Sequence, residues 1–525
     1  MARTALPIVF SLSERATRPR VVVLVRPPSF VSRLAVAAPL TPPLGVAYVA
    51  AYLRAVGHRV SVVDAVGEGL HQPELLDQRR VRRGLSFAQI VARIDPACEV
   101  VGVSCMFSSE WPFVKELIGL IHRERPELRI IVGGEHITAM PEHSLESCPE
   151  IFGAVLGEGE ETTAALLEHL DDPEGLARCA GVVYRDRTTG ALRRNPRMGR
   201  IRNIDELPWP AWDLLPIENY LNQGLGLGTR RGRSFPMLAT RGCPFQCAFC
   251  SNKEMWMTRW TARDPEKLLD EIADAVERYR IDDVQFFDLT AIVRKSWLLE
   301  FARGLERRRF GITWQLPVGT RAEAIDREVA RALMASGCCT ITFAPESGSP
   351  QTLRRIDKKV DLAQMRRAMS DCLAEGLNVK ANIMLGFPGE THGDVWKTLR
   401  FIFALSVPIG IHDLSVYPFS PYPGSALFAR MEAEGRIDGI LSDRWYLSLS
   451  YAEFSALQSY SEHFGLRSLR LYQLLGYLIF YPLNFLARPV RIYRLVRNLI
   501  TGRHQSKGET IIALFLRRLL GKAYG

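Results

Sequence analysis

The chain has 525 residues, of which 47% are hydrophobic and 24% charged. That is ordinary globular composition for two to four domains and excludes collagen-like, low-complexity and wholly disordered chains. Ten cysteines in that length make no disulfide framework. The net charge is +10, and it sits at one end: Phe464 to Gly525 holds eleven Lys and Arg against one acidic residue, Glu509. Residues 1–463 are therefore neutral overall, which speaks against nucleic acid as a partner, since phosphate binding needs a basic surface.

Residues 1–19 read as a flexible lead-in. The apolar stretch Leu6 to Phe10 is too short for a signal peptide, and no small-residue cleavage site follows. A cytoplasmic protein is expected. Over 20–170 short β-branched runs alternate with helical stretches. Arg20–Arg26 (RVVVLVR) predicts a buried parallel strand. Pro42-Pro43 leads into a helix that Gly57 stops. Strands follow at His58–Asp64, Glu99–Ser104, Arg129–Gly134 and Phe152–Leu156. The pattern predicts an α/β fold with a doubly wound, Rossmann-like N-terminal sheet. Ligands of such sheets sit at the carboxyl ends of the strands, which here are Asp64, Ser104, Gly133-Gly134 and Gly157-Glu158.

Residues 171–232 read as a connector. Val182–Arg185 predicts a strand and Thr188-Thr189-Gly190 a turn, and Pro208 and Pro210 forbid a regular helix between them. A second alternating series fills 233–440. Its predicted strands are Phe235–Thr240, Asp283–Asp288, Thr313–Leu316, Thr340–Ala344, Val379–Leu385 and His412–Tyr417, with helices such as Pro265–Tyr279 and Leu362–Glu375 between them. Six βα units predict a full or partial α/β barrel, with function at the strand carboxyl ends. Residues 441–525 turn aromatic, apolar and basic, and read as helix.

The chemistry concentrates at Cys243-Pro244-Phe245-Gln246-Cys247-Ala248-Phe249-Cys250, a C-x3-C-x2-C loop at the carboxyl end of the first barrel strand. Three thiolates on one loop suit an iron–sulfur cluster, and a four-iron cubane would keep one iron open for substrate or cofactor. Thiolate ligands also require a reducing compartment. Zinc or redox use is the alternative, although no second C-x2-C pair lies downstream. Adjacent Cys338 and Cys339 read as small hydrophobes at a strand start, and Cys98, Cys105, Cys148, Cys179 and Cys372 as core or surface thiols.

This loop, with an aromatic residue before its third cysteine, resembles the signature of radical S-adenosylmethionine (SAM) enzymes. The resemblance implies that Cys243, Cys247 and Cys250 hold a [4Fe-4S] cluster whose open iron chelates SAM. It further implies reductive cleavage of SAM to a 5′-deoxyadenosyl radical, and an electron donor such as a flavodoxin or ferredoxin. Phe249 would stand beside the cofactor. Ala344–Ser349 (APESGS) resembles the family's fourth-strand stretch, which implies SAM contacts from Glu346 and Ser347. Asn382–Thr391 (NIMLGFPGET) resembles its fifth-strand stretch, with Gly386 near the adenine, and Ser415–Leu427 its barrel exit. The family's second strand often ends in Gly-Gly-Glu to hold the SAM amino group. Here Phe286-Phe287-Asp288 stands in that place, so the role passes to Asp288, with a helix cap or strand end as the competing reading.

The N-terminal part, followed by this barrel, resembles the cobalamin-binding subfamily over about 20–430. The matching stretches are TPPLGVAYVAAYLRAVGHRVSVVDA, IVGGEHITAMPEHSL, VLGEGEET and LPWPAWDLLP. Cobalamin domains with a cobalt-ligating histidine carry D-x-H-x-x-G. This chain has Asp64, then Val66 in the histidine place, then Gly69. The resemblance implies cobalamin held without a protein ligand to cobalt, near Asp64, Ser104, Gly133 and Gly134. A domain that has lost cobalamin is the alternative. A histidine placed at 66 is expected to restore ligation, and His136 reads as a loop residue rather than a ligand.

The resemblance implies cobalamin-dependent methylation of an unactivated carbon in a lipid-like or secondary-metabolite substrate. Radical cyclisation, oxidation or carbon–carbon coupling on the same scaffold is the alternative, and a non-catalytic iron–sulfur or zinc scaffold at a membrane a third reading. Within the tail, Leu471 to Ala487 is interrupted by Pro482 and Asn484 and falls short of the ~20 residues a membrane span needs. Flanked by arginines, it reads either as an interfacial helix on an anionic inner membrane face or as a cap on the barrel.

Overall fold

The computed structural model describes residues 12–513 apart from 13, 33–38, 78–79, 187, 224–225, 230, 438, 450–453, 455–456, 502–503, 505, 507 and 510–511. The expected lead-in up to residue 11 and the closing stretch from 514 lie outside the described residues.

The first sheet has seven strands: β1 (Val21–Arg26), β2 (Arg59–Asp64), β3 (Val100–Ser104), β4 (Arg129–Gly133), β5 (Ile151–Val155), β6 (Val182–Arg185) and β7 (Leu192–Arg194). Their order is β7-β6-β5-β4-β3-β1-β2, parallel from β2 to β5. β1 is apolar from Val21 to Val25 because both of its faces are covered. Val22 and Leu24 pack under helices Leu44–Ala55 and Gly159–Glu168, and Val23 and Val25 under helix Trp111–Glu124. The strand order reverses between β1 and β3, so the loops after them part and open a crevice.

Two features depart from the expected pattern. β6 and β7, which the sequence placed in the connector, extend this sheet as an antiparallel hairpin. β7 reads Leu-Arg-Arg and is mostly exposed, so it has no apolar alternation to announce it. Ser29–Ser32, Pro73–Leu75 and Arg80–Arg83 form a small antiparallel sheet that is equally polar.

The second sheet comprises β8 (Ser234–Met237), β9 (Asp283–Phe286), β10 (Thr313–Thr320), β11 (Cys338–Glu346), β12 (Asn378–Leu385) and β13 (Asp413–Pro418), side by side in chain order and all parallel. This is the partial six-stranded barrel that the alternation predicts. Along β12, Val379, Ala381, Ile383 and Leu385 are buried in the outer core, while Lys380 and Asn382 face the interior cavity.

The barrel is open at β13, and the tail closes it. Helix Leu466–Ala487 lies along β13 and helix His392–Ala404. An edge strand leaves backbone groups unpaired. Here the Val416 N–H donates to the Tyr477 hydroxyl (2.9 Å), and Gln473 donates to the Val416 carbonyl (2.9 Å). Arg488 and Arg491, two of the four arginines at every third position, cap carbonyls of Ser406, Val407, Gly410 and Ile411. The described tail is therefore a cap on one face, and cutting it off near Tyr460 would strip the barrel edge.

Candidate active site

The cysteine loop leaves the barrel at Gly242, whose φ of +83° is open to glycine. A Cβ there would collide with the Arg259 carbonyl. The loop is then pinned at several points. Ala248 N–H donates to the Ile356 carbonyl (2.8 Å), Leu427 N–H to the Ala248 carbonyl (2.7 Å), and Asn252 to the Cys243 carbonyl (2.9 Å). Phe249 packs on Phe387, and the Arg321 guanidinium covers Phe245 at 3.6 Å.

Cys243, Cys247 and Cys250 are half-buried. Burial pushes all three thiols up, Cys250 to about 12, while Lys358 and Arg321 pull Cys247 the other way. Such thiols become thiolates when a cationic centre binds them. Among the described residues no three His, Cys, Asp or Glu side chains are arranged to hold a single metal ion. A polynuclear cluster, which holds its sulfurs farther apart than one ion does, fits this donor set.

The other residues implied for SAM are placed unequally. Asp288 is buried and accepts the backbone N–H groups of Ala239 (3.2 Å) and Thr240. Burial pushes its carboxyl up to about 6. It thus fixes the strand that launches the cysteine loop, a positioning role that its place at the end of β9 did not reveal. Asp288→Ala leaves two buried amides unpaired, at ~1–3 kcal/mol each. We expect it to lower iron content after anaerobic reconstitution, with Asp288→Asn, which keeps one acceptor, intermediate. Equal iron content in all three proteins would dismiss the role.

Glu346 adopts a left-handed backbone (φ +63°) and pairs with Lys358 at 3.0 Å, which places that ion pair beside Cys247. Ser347 is fully buried and engaged with Thr398 and the Ser349 N–H, so it has no face toward a cofactor. Gly386 (φ +93°) gives its N–H to Glu390 at 2.7 Å and is a turn residue.

One cavity of about 2860 Å³ joins the two sheets, well above the ~300–1,000 Å³ of ordinary small-molecule sites. Its first wall is the carboxyl end of the first sheet, with Arg26, Ser104, Gly133, Gly134 and Gly157. Gly45 and Gly133 meet little or nothing where a Cβ would stand, so part of this wall is bare backbone. Exposed Met106 and Phe107 stand beside it. Bare backbone flanked by apolar side chains fits a large flat ring.

Asp64 does not belong to this wall. It is fully buried and accepts from the Tyr220 hydroxyl (2.6 Å) and the Gly67 N–H (3.1 Å), with Arg26 at 3.6 Å. It caps the short helix Ala65–Glu68. Val66 is equally buried, clustered with Leu40, Leu70 and Tyr220. The expected restoration of ligation at 66 is thereby overturned, because that side chain points into the core. Val66→His is expected to destabilise the first domain by ~1–3 kcal/mol and to give no histidine-ligated cobalamin spectrum; such a spectrum would refute this placement. His136 is a core residue rather than a loop residue. It lies in helix Glu135–Ala139, bonds Ser108 at 2.9 Å, and burial lowers its pKa to about 3.

The two halves are locked together at the cysteine loop. Glu158, from the first domain, binds Arg200 (2.5 Å) and Arg241 (3.0 Å), and Arg241 also binds Glu160 (2.7 Å). Arg241 lies over the Tyr48 ring and immediately precedes Gly242. Glu135, which follows Gly134, accepts from Ser251, which follows Cys250. The sequence marked Glu158 as a strand end, but nothing in it pointed to Arg200, Arg321 or Lys358.

Comparison with known proteins agrees with this geometry. The B12 binding domain family matches residues 32–167, and the radical SAM superfamily matches 237–402. An uncharacterised methyltransferase of Pyrococcus horikoshii is 28% identical, over 78% of this chain and 82% of its own. Cytidylyl-2-hydroxyethylphosphonate methyltransferase of Streptomyces wedmorensis is 26% identical, over 76% and 79%. In fold, the chain is similar to the radical SAM methyltransferase TsrM of Kitasatospora setae, solved with cobalamin and a [4Fe-4S] cluster (TM-score 0.62, 17% identity, 82% of this chain and 81% of that one). With a B12-binding sheet and a radical SAM barrel lining one cavity, and a three-cysteine loop that begins at the cavity wall after Gly242, the chain belongs to the cobalamin-binding radical SAM enzymes, whose cofactors are a [4Fe-4S] cluster, SAM and cobalamin.

Proposed function

We propose that this enzyme methylates an unactivated carbon of a hydrophobic small molecule, a lipid or a lipid-like secondary metabolite. The observation that carries this reading is the single cavity shared by the glycine wall of the first sheet and the barrel mouth. When bound, the reduced cluster and SAM supply a hydrogen-abstracting 5′-deoxyadenosyl radical, and cobalamin supplies the methyl group.

The chain's own residues hold, orient and shield. Cys243, Cys247 and Cys250 would ligate the cluster, and Asp288 sets the strand before them. Phe245 and Phe249, covered by Arg321 and Phe387, keep water from the loop. Ser104, Gly133 and Gly134 would face cobalamin. Glu346 and Lys358 stand near enough to the loop to position SAM. Val318, Leu414 and Phe485 on the cavity wall favour an apolar substrate, since burying apolar surface contributes ~25 cal/mol per Å². Saturated carbons of such a substrate offer no acidic proton for acid–base chemistry, which is why a radical is needed. An electron donor such as a flavodoxin or ferredoxin would serve the cluster at the inner face of the membrane.

The test is anaerobic incubation of the reconstituted enzyme with methyl-labelled SAM, a reductant and a total lipid extract. Label should enter the lipid fraction only when cobalamin is present, with 5′-deoxyadenosine formed alongside. 5′-Deoxyadenosine with no label in any product, with or without cobalamin, would overturn methyl transfer in favour of a radical rearrangement.

A further inference from the structure

The tail helix has three faces. Leu469, Tyr472, Gly476 and Phe480 pack on the barrel. Tyr477, Tyr481 and Phe485 line the cavity. The third face carries Leu471, Leu474, Leu478 and Leu486, at helical spacing, and none of the described residues covers it. Helix His392–Ala404 extends this surface: Trp396 and Phe403 are also exposed, and the Trp396 ring is 6.5 Å from Tyr472. These six large apolar side chains are 44–76% exposed. Tyr493, Val496 and Ile500 prolong the stripe on the next helix, Val490–Thr501.

A contiguous apolar surface of this kind marks a binding face. Its charge says which partner it fits. From 466 to 501 the sequence has six arginines and no acidic residue. Arg488 and Arg491 turn inward to cap carbonyls, whereas Arg467, Arg494 and Arg497 are exposed, as is Arg400 on the neighbouring helix. Exposed leucines and a tryptophan, bordered by arginine, with Asp394, the one acidic residue of the three helices, buried, match the boundary between anionic headgroups and acyl chains. No described helix is long and apolar enough to cross a membrane, so the match is to the surface.

We infer that helices Leu466–Ala487, Val490–Thr501 and His392–Ala404 together form a docking face for an anionic lipid bilayer, with the cavity immediately behind it. One turn of one helix thus presents Leu474 or Leu478 outward and Tyr477 to the cavity. A lipid-like substrate would have only that helix to pass. The inference rests on the hydrophobic-substrate reading for its purpose, though not for its geometry.

The experiment is flotation of the full chain with vesicles of phosphatidylcholine alone or mixed with phosphatidylglycerol. The chain should float with the mixed vesicles only, and less so in high salt. Arg494→Gln with Arg497→Gln should lower partitioning about 30-fold, and Leu474→Ser with Leu478→Ser should lower it comparably. Unchanged thermal unfolding and iron content show that each variant is folded. If the full chain does not float with the mixed vesicles, or both variants float as well as the parent, the inference fails. It also fails if the leucine variant changes only a dimer into a monomer, since the occupant is then a second copy. 5′-Deoxyadenosine and label transfer, measured on the same samples without vesicles, separate failure of docking from failure of the methyl-transfer reading.

Discussion

Cys247→Ala protein, reconstituted anaerobically, should carry no cluster and form no 5′-deoxyadenosine. The parent should bind about four irons and four sulfides per chain. A cubane on three protein thiolates already leaves one iron without a protein ligand, and losing one of the three leaves two corners to small molecules. The loop itself should survive. Ala248, the next residue, is held through its N–H by Ile356 and through its carbonyl by Leu427, and neither bond involves the thiol. Near-ultraviolet circular dichroism of the variant should therefore match that of the parent's apo form. Cys339→Ala is the control. Its thiol bonds the Trp314 carbonyl at the far end of β11 from the loop, and its loss should leave iron content unchanged. A Cys247→Ala protein that still cleaves SAM would end the assignment.

Glu158→Ala should be the most damaging single change outside the cysteine loop. Its carboxylate satisfies Arg200, Arg241 and the Ile201 N–H, all buried. Removing it leaves two guanidiniums, each about 95% buried, with Glu160 as their only remaining carboxylate among these contacts. Breaking a buried pair from one side costs ~3–5 kcal/mol. Because Arg241 precedes Gly242, the loss should appear both in denaturant unfolding and in iron content. Glu158→Gln, which keeps an acceptor oxygen, should recover part of each. The pH dependence has a definite sign. Burial by itself would raise this carboxyl, but Arg241 and Arg200 together outweigh it and hold the carboxyl below the usual range. Folding therefore gains from its ionisation above the ordinary carboxylate range, and that gain drains away as the pH falls from that range through the group's own lowered value. Glu158→Ala should thus flatten the acid limb of the parent's stability profile. A variant with the parent's profile would show that the network carries no net stabilisation.

What the sequence made legible follows from how each signal is written. Buried parallel strands advertise themselves as runs such as VVVLV, and every such strand of both sheets lies within two residues of its expected bounds, apart from β8, which ends three residues early, and β10, which runs four residues longer. The cysteine loop was legible because ligand chemistry fixes both residue type and spacing. Exposed β7 and the Ser29–Ser32 sheet were not, because polar strands carry no alternation. The roles of Asp288, Asp64 and Ser347 could not be read at all. A carboxylate or hydroxyl at a strand end looks the same whether it faces a cofactor or a backbone amide, and here all three are engaged with the protein. Lys358, Arg321 and Arg200 come near the loop only through the packing of segments up to 115 residues away from it. The tail offered two readings as rivals; its contacts make it a cap on the barrel, and its exposed leucines are only the ground for the docking inference.

The cavity's final wall is made by a helix that leaves the ribosome after every strand it leans on. Until residues 466–487 have emerged, the backbone of β13 is uncovered at Val416 and the space behind it is open to the outside. Chains fold from the N-terminal end as they are made. The helix that completes the cavity wall is thus made after all six barrel strands, and the edge of β13 has no cover from Tyr477 and Gln473 before it.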